Sequence, residues 1–143
     1  MLIDTRTTFA WEEGVDGSAG TVKLGEALDL TAFPTDMGEG YPLYLVILFT
    51  TTTAGGTSTA YSLVTADNAA LSSNPVTLLA TPAIPVASGV AGTMAIVVAL
   101  PKANYKRYLG VNLTRVGTVT AGAVSAFLVQ DPPNWRAYPE GLN

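Results

Sequence analysis

Apolar and polar positions alternate with a period of two along most of this chain. Over residues 105–114, Leu109, Val111 and Leu113 fall on one face, with Tyr108, Asn112 and Thr114 on the other. That period marks a half-buried strand. Residues 123–129 are apolar on both faces, which places them deep in a sheet. The link 116–122 carries Gly117 and Gly122 near its ends, as a chain reversal wants. Asp131-Pro-Pro133 stops the pattern, because proline removes ladder donors. The reading is a hairpin over residues 105–131, the spine of an all-β domain.

The rest of the chain reads as further strands. Residues 21–24 form a short strand after the turn 17–20, residues 28–33 another, and 34–40 a loop. The strongest strand pattern is 41–53, built on Leu43-Tyr-Leu-Val-Ile-Leu-Phe49 and bounded by Pro42. Gly55-Gly56 turns the chain into 58–65, and Asp67-Asn68 opens a polar loop that closes at Pro75. Residues 76–79, 83–86 and 93–100 complete the set, the last ended by Pro101. About eight antiparallel strands at roughly ten-residue spacing, with no useful helical period, signal a sandwich or barrel. No repeat or long linker divides the chain, so residues 1–143 read as one domain.

Composition sharpens this picture. Charged residues make up 13% of the chain, about half the usual share. The surface is therefore expected to be shielded, or polar and uncharged, with Thr, Ser, Ala and Gly filling that role. Net charge −4 argues against a nucleic-acid partner, which would select a basic stripe. Charge is also uneven. Residues 1–40 carry eight acids against two bases, a net of −6, whereas 102–143 carry two acids against five bases, a net of +3. The start, Met1-Leu-Ile-Asp-Thr-Arg6, lacks the pattern of a signal peptide, and the apolar runs are too short to span a bilayer. The expectation is a soluble protein made in a cytoplasm, with no membrane partner.

There is no cysteine and no histidine, so Ser-His-Asp and Cys-His nucleophile systems are impossible, as are the usual zinc sites. The remaining acids show no paired arrangement, and the expectation is no enzyme and no cofactor. Glu12-Glu-Gly-Val-Asp16 has carboxylates near a glycine but lacks the alternating spacing of a calcium loop, and reads as a solvated acidic turn. Residues 14–20 have the glycines of a phosphate loop with no lysine or helix after them, and read as a turn. The terminal aromatics Phe9, Trp11, Trp135 and Tyr138 have two readings: they cap the chain's own core, or they anchor another chain.

Three blocks carry a resemblance: Arg107-Tyr-Leu-Gly-Val-Asn-Leu113, Thr120-Ala-Gly-Ala-Val-Ser-Ala-Phe-Leu-Val-Gln-Asp131 and Arg136-Ala-Tyr138. With Met1-Leu-Ile-Asp4, Gly40-Tyr-Pro-Leu-Tyr-Leu-Val46, Asp67-Asn-Ala-Ala-Leu-Ser72 and the stretch 84–93, the chain resembles the capsid cement (decoration) proteins of short-tailed bacteriophages, Bordetella-phage type. The resemblance implies a jelly-roll β-sandwich on the outer capsid surface of the virion, synthesised in the bacterial host cytoplasm. It implies the major capsid protein as partner, bridged and stabilised against DNA pressure, and self-association as a homodimer, with a trimer second. A carbohydrate-binding or adhesin module is the alternative. Residues 1–11 and 135–143 are then expected to act as contact arms, with Asp4, Arg6, Trp11, Arg136 and Tyr138 as partner contacts.

Overall fold

The computed structural model describes residues 7–32 and 43–130. These form β1 (Thr8–Gly14), β2 (Gly20–Asp29), β3 (Tyr44–Gly55), β4 (Ser58–Ala66), β5 (Val76–Ala80), β6 (Ile84–Pro85), β7 (Met94–Ala99), β8 (Tyr108–Val116) and β9 (Val119–Val129). One antiparallel sheet has the order β1-β9-β3-β7 and the other β2-β8-β4-β5, with the two-residue β6 also on β4. With β6 set aside, this interleaving is a jelly roll, the double Greek-key sandwich.

The expected hairpin over residues 105–131 is not formed. β8 and β9 follow each other in sequence but lie in opposite sheets. The chain crosses between sheets at Gly117-Thr118, and β9 begins at Val119, four residues before the apolar run. The same crossing occurs from β1 to β2 and from β3 to β4. Since β1, β9 and β3 are neighbours in one sheet and β2, β8 and β4 in the other, the three crossings form one bent, three-stranded ribbon. Bonds continue around the bend: Thr57 N–H donates to Val116 O (2.7 Å), Gly17 and Val119 exchange bonds (2.8 and 3.0 Å), and Val15 N–H donates to Gly122 O (3.0 Å). Val15 and Val119 plug the inside of the bend. Gly56 and Gly117 sit there at φ 69° and 79°, and a Cβ on Gly117 would lie 3.0 Å from Gly56 Cα. Two backbones pass that closely only where neither carries a side chain.

Between the sheets lies the core. Phe9, Leu45, Ile47, Phe49, Val124, Ala126 and Leu128 face Leu24, Leu28, Tyr61, Leu63, Leu109, Val111 and Leu113. Leu109, Val111 and Leu113 are the inward set that the alternation predicts, each fully buried. Every such side chain contributes ~1.5–3 kcal/mol on burial. Phe49 and Tyr61 meet edge-on across the core, centroids 6.2 Å apart at 73°. Burial pushes the Tyr61 phenol up from its usual range.

The run 123–129 is apolar on both faces because both faces of β9, an inner strand between β1 and β3, are covered. Its opposite face supplies Phe127 and Val129 to a second buried set with Val46, against which Tyr44 and Val97 pack. A third set lies on the outside of the other sheet. There the 67–75 loop folds back, its turn fixed by Asn68 Oδ1 accepting the Ser72 and Ser73 N–H groups (2.9 and 3.0 Å). This delivers Leu71 onto β4 and β8 beside Val64 and Ala66.

Two further readings change. Residues 28–33 are not a separate strand: β2 runs on to Asp29 through a register shift between Leu24 and Leu28, then turns as a 3-10 helix over Leu30–Ala32. The strand expected at 41–53 begins at Tyr44 and reaches Gly55, while the 34–40 loop lies outside the described residues.

Candidate contact surfaces

β1 is an outer strand of its sheet, paired only with β9 among the described strands. Its register to β9 shifts twice, between Thr8 and Ala10 and again between Ala10 and Glu13. At the second shift Trp11 and Glu12 together oppose Ser125, a β-bulge. Glu12 takes φ 49°, a left-handed conformation uncommon for a residue with a side chain. The buried Ser125 hydroxyl holds it there, accepting the Glu12 N–H at 2.9 Å. Phe9 consequently enters the core at 2% exposure, whereas Trp11 stands 59% exposed. Thus Phe9 caps its own core, the first of its two readings. Trp11 is presented to solvent, beside exposed Glu12, Glu13 and Asp16. Asp4, Arg6, Arg136, Tyr138 and Trp135 lie outside the described residues.

Where the 67–75 loop does not cover it, the outer face of the second sheet carries mostly uncharged polar side chains. Thr21 and Thr114 share a hydrogen bond between hydroxyls (2.9 Å), and Lys23 and Ser62 flank Asn112 in register. This is the surface that the low charge and high Thr and Ser content predict.

Acidic and basic ends of the chain also meet within the molecule. Arg107 Nη2 stands 3.1 Å from Asp29 Oδ2, and its Nε donates to Oδ1. That guanidinium, helped by the Thr31 hydroxyl and N–H, holds the Asp29 carboxyl down at about 2. Arg107 also lies over the Tyr108 ring, 5.1 Å from its centroid. Lys106 pairs with Asp67 at 3.8 Å, and Arg115 Nε donates to Val15 O at 2.6 Å. Part of the complementarity between the chain's two charge-biased ends is therefore used internally.

Among the described residues no three His, Cys, Asp or Glu side chains gather as metal ligands, and the 12–16 acids form no such group. No described helix is long and apolar enough to cross a membrane.

The family model Bbp16 matches residues 17–128. The chain belongs to the Bbp16 family. That name points to a Bordetella phage protein. The matched span runs from the first sheet crossing into β9, so β1 with Trp11 precedes it. No curated protein matches the chain.

Proposed function

We propose that this Bbp16-family protein is a structural virion component that binds the outside of an assembled phage head. It bridges neighbouring major capsid subunits and stabilises the capsid against DNA pressure. Membership of a family with a phage-protein name carries the reading. The jelly-roll body supports it, since its buried sets make a stiff module suited to static attachment. Trp11 supplies an exposed aromatic of the kind enriched at binding hot spots, and the acids around it supply charge for steering. A homodimer gripping two capsid subunits makes the second contact intramolecular, so modest contacts add up to firm attachment.

The acidic surface at Glu12, Glu13 and Asp16 is complementary to a basic capsid surface, which would steer encounter and set register. A carbohydrate-binding module would gather several aromatics on one concave face. Among the described residues Trp11 is the one large aromatic that stands exposed. The test is co-sedimentation of the purified protein with empty heads of the phage that encodes it, followed by cryo-electron microscopy. Added density on the outer surface, with binding that weakens as salt rises, supports the proposal. Absence of binding at saturating protein overturns it, and a flat salt response overturns the electrostatic part.

A further inference from the structure

Both outer faces of the sandwich carry apolar sets, but only one has a described cover. On β4 and β8, Leu71 of the 67–75 loop lies beside Val64 and Ala66. On the β1-β9-β3-β7 sheet, Phe127 pairs across the strands with Thr8 and Val46, and Val46 with Val97, forming a single row. Ile47, Ala126 and Leu128 belong to the main core, so by alternation Val46, Phe127 and Val129 point away from it. Neighbours in a sheet fence such a side chain from the sides and leave its top open. Yet Val46 and Phe127 are each 1% exposed and Val129 3%. Among the described residues, the partly buried apolar groups packed on this set are Tyr44 and Val97, both of the same sheet. One row further along, Leu48 is half-buried and Met94 exposed, and at the other end of β7 Ala99 is exposed. The cover is therefore local, centred on β9 and β3.

Three stretches outside the described residues join the chain near this row. Residues 1–6 lead towards Thr8 on the outer strand β1, one strand away from β3. Residues 33–42 connect Ala32, beyond β2 in the opposite sheet, to Leu43 before β3. Residues 131–143 follow β9 directly, just after Val129, which is itself one of the buried three. Pro132 and Pro133 lack the donors that would extend the β9 ladder. Trp135 lies six positions after Val129, a reach of up to about 20 Å. Phe127 is only ~7 Å back along β9, and β3 is ~5 Å to the side. An aromatic side chain, with ~150–250 Å² to bury, is large enough to close the top of a phenylalanine and two valines. Trp135 and Tyr138 are the large aromatics of this stretch.

We infer that the apolar outer face of this sheet is the docking site of residues 131–143 of the same chain, with Trp135 seated on Phe127, Val46 and Val129. The contact is intramolecular, so it holds in the isolated protein whether or not a capsid is bound. The two tryptophans then have opposite roles. Trp135 closes its own fold, and the exposed Trp11 is left for a partner.

Tryptophan fluorescence tests this directly, because Trp11→Phe leaves Trp135 as the only indole. Emission and acrylamide quenching of the full-length Trp11→Phe protein are followed from nanomolar to micromolar concentration. The expected result is a blue-shifted emission and quenching several-fold weaker than in denaturant, both independent of concentration. Adding Phe127→Ala is expected to shift the emission red and raise quenching, with the fold verified by circular dichroism. Val46→Thr, close in shape to the native side chain, is expected to act in the same direction and serves where Phe127→Ala fails to fold. Leu71→Ala, on the opposite outer face, is expected to leave Trp135 unchanged. A solvent-like Trp135 in the folded protein overturns the inference and leaves residues 1–6 or 33–42 as the cover. Shielding that disappears on dilution overturns it in favour of a second copy. Shielding indifferent to both Phe127→Ala and Val46→Thr overturns the proposed seat.

Discussion

Phe9 and Trp11 are two residues apart on one strand, yet they should respond oppositely to truncation. A fully buried tryptophan hides about 150–250 Å². With 59% of Trp11 exposed, roughly two-fifths of that is hidden in the isolated chain. At ~25 cal/mol per Å², Trp11→Ala should destabilise by no more than about 1.5–2.5 kcal/mol, an upper bound because unfolded chains also bury surface. Phe9 is 2% exposed in the main core, where Phe→Ala costs ~3–5 kcal/mol. At a few degrees per kcal/mol for a domain of this size, Phe9→Ala should lower the melting temperature by on the order of 10 °C or more, and Trp11→Ala by about half that at most. Attachment should reverse the order. If Trp11 is an anchor on the capsid, its loss should weaken binding by ~2 kcal/mol or more, roughly thirtyfold in dissociation constant. Folded Phe9→Ala protein should still bind at low temperature. The assays are calorimetric melting and titration onto empty heads. A Trp11→Ala melt as depressed as that of Phe9→Ala would show that the indole closes its own core. Unchanged head binding by Trp11→Ala would remove it from the interface.

Further outcomes follow from individual contacts. Ser125→Ala leaves the Glu12 N–H without its acceptor and should cost ~1–3 kcal/mol in chemical denaturation while disturbing the presentation of Trp11; a neutral result would mean that the bulge needs no side-chain support. The Asp29 carboxyl is held at about 2 when folded against 3.8 as its ordinary value, so its contribution is present above pH ~4 and is lost as pH falls towards 2. Asp29→Asn should therefore flatten that part of the acid limb, and an unchanged limb would count against the Arg107 contact. A Cβ on Gly110 would lie 2.5 Å from Leu71 Cδ1, so Gly110→Val should displace the 67–75 loop and destabilise by ~1–3 kcal/mol. Adding Leu71→Ala to that variant should recover part of the loss, and strict additivity of the two would refute the clash.

The positions of the strands were legible because local alternation reports which residues face a core, whichever strand lies alongside. Leu109, Val111 and Leu113 behave as that pattern requires, and the apolar run in β9 told correctly of an inner strand. Pairing was less legible. A strand, a glycine-bearing link and a second strand spell a hairpin and a sheet crossing in the same letters. At Gly117-Thr118 the choice falls to the crossing, since β8 finds partners in β2 and β4 and β9 finds them in β1 and β3. Those partners are distant in sequence, so the local reading had no access to them.

The candidate site fails to announce itself for a related reason. Strict alternation puts residues 9 and 11 on the same face, whereas the two register shifts of β1 send one aromatic into the core and the other to solvent. A bulge costs a strand one ladder position and resets its parity, so every inference of facing beyond it inverts. The one signal available beforehand was Ser125, the single polar residue in the run 123–129. A hydroxyl buried among apolar neighbours needs a hydrogen-bond partner, and a misfitting backbone N–H on the adjacent edge is what it receives. The serine in β9 and the exposed tryptophan in β1 are thus two ends of one device, which trades regular pairing at a sheet edge for a fixed aromatic at the surface.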